Sequence, residues 1–585
     1  MSSLINVRDL NFLLYDWLDL ASLCERPRFS AHSREVFDAI LEAALQLAKD
    51  RFADHAAKLD LNEPTFDGER VHIIPEVKVA LDAFAEAGFI AAPFSEEHGG
   101  LQLPYTVSQS AMAMFYSANT ATAAYPLLTM AAANLIATCG SEAQRERYLA
   151  PMLEGRFTGT MALSEPQAGS SLGDIRTLAR PQGDGTWQVT GDKMWISAAE
   201  HDLSDNIIHL VLARTPGAPA GTRGISLFIV PKFLENGDRN GVKISGLNHK
   251  MGYRGTINTV FHLEGATGYL VGEPHRGLSY MFHMMNEARV GVGLGAAMLG
   301  YAGYLFSLDY ARQRPQGRLP WDRDPTAPPV AIIAHPDVRR MLLAQKAYVE
   351  GGLALCLYCA RLVDDIQSLD SPAARDEATM LLDLLTPIAK AWPSEFCLEA
   401  NKLAIQVLGG YGYSQEYPVE RYYRDNRLNA IHEGTNGIQA LDLLGRKVRL
   451  GEGAALQVLL GRIQQTLQLT ASHPVLGTHA AALGEAVARA GAVTQALLAA
   501  GAAGNARAYL ANASVYLDMM GHTVVAWLWL DQARVAAGAP QDDFTRGKLQ
   551  ACRYFFRWEL PKTRAQADLL RGLDDTCLEM EPGWF

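Results

Sequence analysis

The sequence predicts an α+β multidomain chain: an all-α N-terminal part, an all-β middle, an all-α C-terminal part and a further helical domain. Three observations predict it. Apolar residues recur at helical spacing over 1–155. Between 157 and 272 the pattern changes to short alternating or β-branched runs separated by turn clusters. From 277 the helical period returns and continues, Ala-rich, to the end. The alternation of strand and helix that a dinucleotide-binding sheet needs is missing. The boundaries read from these changes are 1–155, 156–275, 276–450 and 451–585.

In the first part, residues 31–60 place Val36, Phe37, Ile40, Leu41, Ala44 and Leu47 on one stripe, and 75–89 repeats the pattern with Pro75 at its start and Gly88 at its end. Residues 98–141 carry no Asp, Glu, Lys or Arg. Ser108, Gln109, Ser110, Asn119, Pro126 and Asn134 nevertheless interrupt this stretch too often for a lipid-facing span of about 20 apolar residues. It reads as two small-residue-rich helices inside protein, with no membrane span. In the middle, TGTMALS, WQVTGDKMWIS, IIHLVLA, GISLFIV, VKIS, TVFHLE and GYLVG read as short strands of an antiparallel barrel or sandwich. Periodic helical segments follow at 277–313, 335–367 and 374–408, punctuated by the proline-rich linker 315–329 and by LGGYGYSQEYP.

The chain has 585 residues, with 63 acidic against 52 basic side chains and a net charge of −11, which argues against nucleic acid or an anionic membrane as the main partner. From residue 451 on, basic and acidic side chains nearly cancel, eleven against twelve. The 7 Cys are scattered and read as reduced thiols of a cytosol-like compartment. Arg8, Asp9, Asp16 and Asp19 interrupt any export signal, so a cytoplasmic location is expected.

Several motifs have bland readings that win. GVGLGAAMLG (291–300) follows a helical pattern, not a strand, and reads as close helix packing. Gly169-Ser170-Ser171-Leu172-Gly173 matches a hydrolase elbow but sits in a loop of an all-β region, where that elbow has no function. Cys356 and Cys359 lack a second ligand pair and read as helix core, so no metal site is expected. Glu433 stands just before Gly434-Thr435-Asn436, which opens a helix. A carboxylate there either complements the helix dipole or serves as a general base, and the residues alone leave both open.

MALSEPQAGSS (161–171), KMWIS (193–197), EARVGVG (287–293), QVLGGYGYSQEYPVERYYRD (406–425) and IHEGTNGIQ (431–439), in this order and at these separations, resemble the acyl-CoA dehydrogenase family over residues 75–450. The length and the Ala-rich tail resemble its larger bacterial branch, which includes fatty-acyl-CoA and methylthiopropionyl-CoA dehydrogenases.

The resemblance implies an N-terminal helical domain, a central antiparallel β-barrel and a C-terminal four-helix bundle, with FAD between barrel and bundle. It implies oxidation of a medium- to long-chain fatty acyl-CoA to trans-2-enoyl-CoA in β-oxidation. The alternatives are a methylthiopropionyl-CoA dehydrogenase and a non-catalytic DNA-associated member of the fold. By match, Glu433 is the base, and its backbone N–H, beside Gly434, meets the thioester oxygen. Met161, Leu163, Ser164, Gly169 and Ser170 match the loop along the flavin, with Ser170 also at the mouth of the CoA channel. Trp195 and Ser197 match the flavin's aromatic screen and hydroxyl. Arg314, Gln406, Gly409 and Gly410 match contacts to a neighbouring subunit's FAD, and Thr435 matches a hydroxyl on the adenosine-diphosphate part of FAD. Asn286 and Arg289 match positions near CoA. Composite FAD sites imply a homodimer, and the implied electron acceptor is electron-transferring flavoprotein. The slot where some members carry the base on another helix is filled here by Ala288. Its neighbour Glu287 is expected to point elsewhere, because one helical step turns a side chain by about 100°. The sequence after Arg314 departs from the family pattern, which puts a flavin role for Gln316 in doubt.

Overall fold

The computed structural model describes residues 4–322 and 324–585, apart from the side chains of 283–286, so Asn286 lies outside the described residues. The chain forms two compact units. One is Ala31–Gly291, and the other joins the N-terminal segment up to Ser30 to Val292–Phe585.

The Ala31–Gly291 unit begins with helix Arg34–Leu47, whose first turn is capped by Ser33 Oγ accepting from Val36 N. It buries Phe37, Leu41 and Ala44, while Val36 is 40% exposed, so the expected stripe was one residue too wide. Helix Pro75–Glu86 follows, and Gly88 stops it in the left-handed region at φ 78°.

The charge-free stretch is Tyr105–Cys139, two helical halves meeting at Asn119, whose φ −161° and ψ 90° are not helical. The Asn119 side chain accepts from Thr122 N and donates to Phe52 O, and so takes over what the broken backbone would leave unpaired. Tyr105–Cys139 and Gly277–Gln313 are long and apolar enough to cross a membrane by length and composition alone. Protein buries 50% and 89% of their most apolar windows.

Among the described residues nine strands follow in chain order: β1 (Thr65–Phe66), β2 (Val71–His72), β3 (Phe157–Ala162), β4 (Leu178–Pro181), β5 (Trp187–Ser197), β6 (Asn206–Arg214), β7 (Ile225–Pro231), β8 (Val242–Leu247) and β9 (Asn258–Leu270). β1 and β2 form a small hairpin within the helical part. The other seven form one sheet in the order β3-β6-β4-β5-β9-β7, with β8 on β9 and a further pairing of β6 with β7. The expected antiparallel sheet is corrected here. β3 runs parallel to β6 from Phe157↔Asn206 to Ala162↔Val211, and β4 meets β6 in parallel at Leu178↔Arg214. The long connection from 163 to 205 allows this, because only a short hairpin forces neighbours to run antiparallel.

TVFHLE and GYLVG belong to one strand, β9. Gly265, at φ 69°, is its bulged residue, where pairing steps from Val189↔Ala266 to Thr190↔Glu264. Ala162, Val189, Ile196, Val211, Phe228 and Phe261 fill the core of the sheet.

In the second unit the helices Pro336–Ser368 and Pro372–Leu408 pack along the C-terminal part of Gly277–Gln313. Gly293 and Gly300 serve that packing. A Cβ on Gly293 would lie 1.9 Å from Ala389 O, and one on Gly300 2.8 Å from Cys397 Cβ. Cys356 and Cys359 are buried in the same core, and burial pushes both thiols up. The final domain wraps helix Ala513–Gly538, most of which is buried.

A buried ionic cluster ties the ends of this unit together. Lys548 Nζ lies 2.6 Å from Asp9 Oδ1 and 3.1 Å from Glu350 Oε2, all three without solvent access. Tyr301 OH donates to Asp9 Oδ2 at 3.0 Å, and Lys346 pairs with Glu350. Burial and the neighbouring Glu350 push the Asp9 carboxyl up, against the pull of Lys548. Removing the cation from such a cluster strands buried carboxylates, at a cost of about 3–5 kcal/mol. Lys548→Met is therefore expected to lower the melting temperature steeply. Lys243→Met, which breaks the exposed Lys243–Glu264 pair and is tested by the same thermal melt, is expected to shift it by at most a degree or two.

Candidate active site

On the Ala31–Gly291 unit the matched residues gather at the exit of β3. Met161 is the last residue but one of the strand, half-buried, and after Ala162 the chain turns through Leu163 and Ser164 into a loop whose Gly169 and Ser170 are exposed. A Cβ on Gly169 would meet nothing within 4 Å, so its backbone stands open to a ligand. Ser171 lies between that loop and the short 3-10 turn Leu172–Asp174, with no strand-to-helix elbow.

The loop is anchored by Glu165. Its Oε1 accepts from Thr177 N (3.0 Å), Thr177 Oγ1 (2.6 Å) and Lys193 Nζ (3.0 Å), and its Oε2 from Arg176 N (2.6 Å) and Gln167 Nε2 (2.8 Å). Burial alone would raise this carboxyl, but Lys193 and the hydrogen bonds outweigh it and hold it at about 2.

Trp195 sits at a β-bulge of β5, between Met194↔Val260 and Ile196↔Thr259. Its φ of 65° is in the left-handed region, and the indole is 60% exposed. Strand alternation would have turned Trp195 inward with Lys193, and the bulge reverses it. Met194 N donates to Ser164 O at 3.0 Å, joining bulge to loop. Ser197 Oγ accepts from Asn258 Nδ2 at 3.1 Å.

On Gly277–Gln313, Ala288 and Arg289 are buried. Glu287 turns to Asn134, whose Nδ2 donates to Glu287 Oε2 at 2.9 Å, and burial raises the Glu287 carboxyl to about 7.

On the other unit Glu433 occupies the left-handed region at φ 53°, followed by Gly434 at φ 85°. Gln439 Nε2 donates to Glu433 O at 3.2 Å, and a Cβ on Gly434 would press on that same amide at 2.6 Å. Glycine is required there. Thr435 caps helix Asn436–Gly445 by accepting from Ile438 N at 3.2 Å, which leaves its O–H to donate outward. On the other side a chain of amides fixes His432: its Nε2 meets Asn429 Oδ1 at 3.0 Å, Asn429 donates to Asn426, and Asn426 donates to Asn401 and to Ala296 O. Burial, with Lys390 nearby, brings His432 down to about 3 and keeps the ring neutral.

The exposed end of Pro372–Leu408 carries Gln406, then Gly409 at φ 63°, ψ −135°, and Gly410. Added Cβ atoms on the two glycines would meet nothing. Arg314 is exposed, its guanidinium 5.6 Å from the ring centre of Tyr411, and among the described residues no carboxylate pairs with it. Gln316 is tied through its backbone instead, its N donating to Val330 O and its O meeting His335 Nε2. Sequence reasoning assigned no role to Glu165, Lys193, Gln439 or Asn429. The available signal was a lysine at an inward position of a strand, since Val189 and Lys193 share the core face of β5.

Each unit by itself carries features that suit part of a flavin dinucleotide: a bulged indole on Ala31–Gly291, and on the other unit open glycine backbone for close approach to phosphate and an exposed guanidinium.

Four family models match the chain: acyl-CoA dehydrogenase N-terminal domain over 35–156, middle domain over 160–266, C-terminal domain over 275–448, and acetyl-CoA dehydrogenase C-terminal like over 459–581. The 3-methylmercaptopropionyl-CoA dehydrogenase of Ruegeria pomeroyi is 39% identical over 518 residues, 86% of this chain and 87% of that relative. The broad-specificity linear acyl-CoA dehydrogenase FadE5 of Mycobacterium tuberculosis is 35% identical over 616 residues, 99% of each chain. Among solved structures, Caenorhabditis elegans ACDH-11 in complex with C11-CoA superposes with TM-score 0.78 at 19% identity, over 96% of this chain and 94% of that one. A Bacillus anthracis acyl-CoA dehydrogenase complexed with FAD gives 0.70 at 21%, over 96% and 98%.

The Asn134–Glu287 pair generates a test. A carboxyl raised to about 7 when folded, from 4.5, binds more protons in the folded state between those values, so its contribution falls as pH rises through that window. Glu287→Gln keeps an acceptor for Asn134 and removes the slope. Urea unfolding at pH 8 is expected to find the variant more stable by about 1–3 kcal/mol, with the gap closing toward pH 5.

Proposed function

This chain belongs to the acyl-CoA dehydrogenase family, FAD-dependent oxidoreductases acting on CH–CH donors, and we propose that it oxidises linear medium- to long-chain fatty acyl-CoA to trans-2-enoyl-CoA, as a step of fatty-acid β-oxidation. The observation that carries this reading is the setting of Glu433. Its left-handed backbone, held by Gln439 and relieved by Gly434, stands directly before the N-terminus of Asn436–Gly445.

In this reading the Glu433 carboxylate takes the α-proton of the thioester. The Glu433 N–H donates to the thioester oxygen as negative charge develops on it, a stabilisation worth about 3 kcal/mol for one well-aimed donor. Bound FAD supplies the oxidant, accepting the electron pair and hydrogen of the Cβ–H bond. Trp195 excludes water from the reacting face. Met161, Leu163, Ser164, Gly169, Ser170 and Ser197 line the cofactor, with Ser170, Arg289 and Gly434 toward the acyl-CoA. Gln406, Gly409, Gly410 and Arg314 serve the phosphates of a second subunit's FAD, and the Thr435 hydroxyl would serve the adenosine-diphosphate part of FAD. The exposure of Arg314, Gly409, Gly410 and Tyr413 (89% exposed) supports a homodimer. Electron-transferring flavoprotein is the proposed acceptor, and the cytosol the proposed location.

A second reading, methylthiopropionyl-CoA as substrate, is favoured by the 39% identity to the Ruegeria relative. A series of acyl-CoAs from C4 to C16, with methylthiopropionyl-CoA included, separates the two by kcat/KM with an artificial acceptor. The base is tested by stopped-flow bleaching of the bound flavin. Glu433→Gln is expected to keep FAD and acyl-CoA binding and to lose about 10²–10⁴-fold in reduction rate. Glu287→Gln is expected to reduce at the normal rate. The reverse pattern would move the base to Glu287.

A further inference from the structure

We infer that the buried Glu165–Lys193 ion pair is a positioning element for the flavin, one ammonium holding both the loop 163–171 and the strand that presents Trp195. The inference rests on the reading that this loop and this indole meet the cofactor.

Lys193 has no solvent access. Its Nζ donates to Leu163 O at 3.1 Å, Glu165 Oε1 at 3.0 Å and Leu212 O at 2.8 Å, so all three ammonium protons are used and the acceptors come from two separate places on the chain, the loop and β6. Leu163 opens the loop, Glu165 anchors it, and Leu212 belongs to β6. Through Glu165 the same charge reaches Arg176 and Thr177, which close the loop's far side. Glu165 and Ala168 also exchange backbone hydrogen bonds at 3.0 and 2.9 Å, which fixes the turn just before Gly169 and Ser170.

Lys193 and Trp195 are two residues apart on β5, one in the core and one at the surface, and the bulge between them is stitched to Ser164 O by Met194 N. A shift of the ammonium would move loop and indole together. Stability gives little reason for such a pair, because a well-packed apolar pair in its place is often neutral or better. What an apolar pair cannot supply is direction. Three carbonyl and carboxylate oxygens fix the lysine in one geometry, and burial brings its proton affinity down to about 8, the mark of a charge kept from water.

Lys193→Met alone leaves the Glu165 carboxylate buried without its cation and so confounds folding with positioning. The decisive variant is Glu165→Gln/Lys193→Met, which is neutral and close in shape. Reconstituted with FAD, it is expected to melt cooperatively but at a lower temperature, because an amide keeps one accepting oxygen where the carboxylate has two. Its dissociation constant for FAD should rise at least tenfold, the visible circular dichroism of the bound flavin should change, and flavin fluorescence, quenched by a stacked indole, should increase. In a Trp195→Phe background the fluorescence increase should vanish while the loss of affinity remains. Wild-type affinity and wild-type flavin spectra in the double variant would reduce the pair to core filling and overturn the inference. Should the double variant not fold, Thr177→Val decides. It removes one neutral donor to the same carboxylate and should weaken FAD binding about threefold with a smaller change of the same spectral kind, whereas unchanged binding and spectra would overturn the inference. A wild-type chain that takes up no FAD would instead sink the flavin reading itself.

Discussion

A lysine taken out of water must find its counter-charges and acceptors within the protein, because an isolated buried ammonium costs several kcal/mol. Each compact unit meets this demand with a lysine that gathers distant segments. In the unit that ends at Phe585, Lys548 draws together Asp9 and Glu350, residues hundreds of positions apart in sequence. The N-terminal segment is thereby part of this unit, although the chain leaves it at Ser30 and returns only at Val292. In the other unit, Lys193 gathers the end of β3, the start of the following loop and β6. The parallel pairing of β3 with β6 brings Leu163, just past the end of β3, beside Leu212 of β6, within reach of one side chain.

The residues with assigned chemistry occupy places where regular backbone breaks. Trp195 and Glu433 both adopt left-handed φ values, 65° and 53°, which cost a residue with a Cβ about 1–2 kcal/mol. In each case the break reverses what the local period would do. The bulge sends an indole outward from an inward position of β5. The turn at 433–434 halts the chain before a helix, so that a backbone N–H and a carboxylate stand at its N-terminus. Both breaks are braced: Trp195 by Met194 N on Ser164 O, Glu433 by the amide of Gln439. Behind Glu433, the relay from His432 through Asn429 and Asn426 to Asn401 ties the turn to the main helices of its unit.

The glycines divide into two kinds for the same steric reason. Gly293 and Gly300 are small because another helix backbone occupies the space a Cβ would take. Gly409 and Gly410 have open space around them, and Gly409 takes a φ/ψ pair suited to glycine. The first kind makes the bundle dense, and the second leaves backbone uncovered for a phosphate-bearing ligand.

The sequence by itself determined the order of helical, strand and helical parts, because hydrophobic period is a local property. It also carried the five motifs whose order and separation mark the family. It pointed to Glu433 through the turn and helix start around it. It read GVGLGAAMLG as helix packing, since no strand precedes it, and the continuous helix Gly277–Gln313 agrees. Other features were decided only in three dimensions. The parallel placement of β3 depends on which strand a long connection returns to, and pairing over such distances leaves no periodic trace. Val36 was placed on a buried stripe, yet its side chain reaches solvent, because the neighbouring helices cover a narrower arc than the apolar pattern offers. The display of Trp195 required a bulge set by β9. The partners of Lys193, Lys548 and Glu287 lie 19 to 539 positions away, on other strands and helices. A buried charge is legible in sequence only as an anomaly, a lysine on a core face; what satisfies it depends on contacts between distant segments that exist only once the chain has folded.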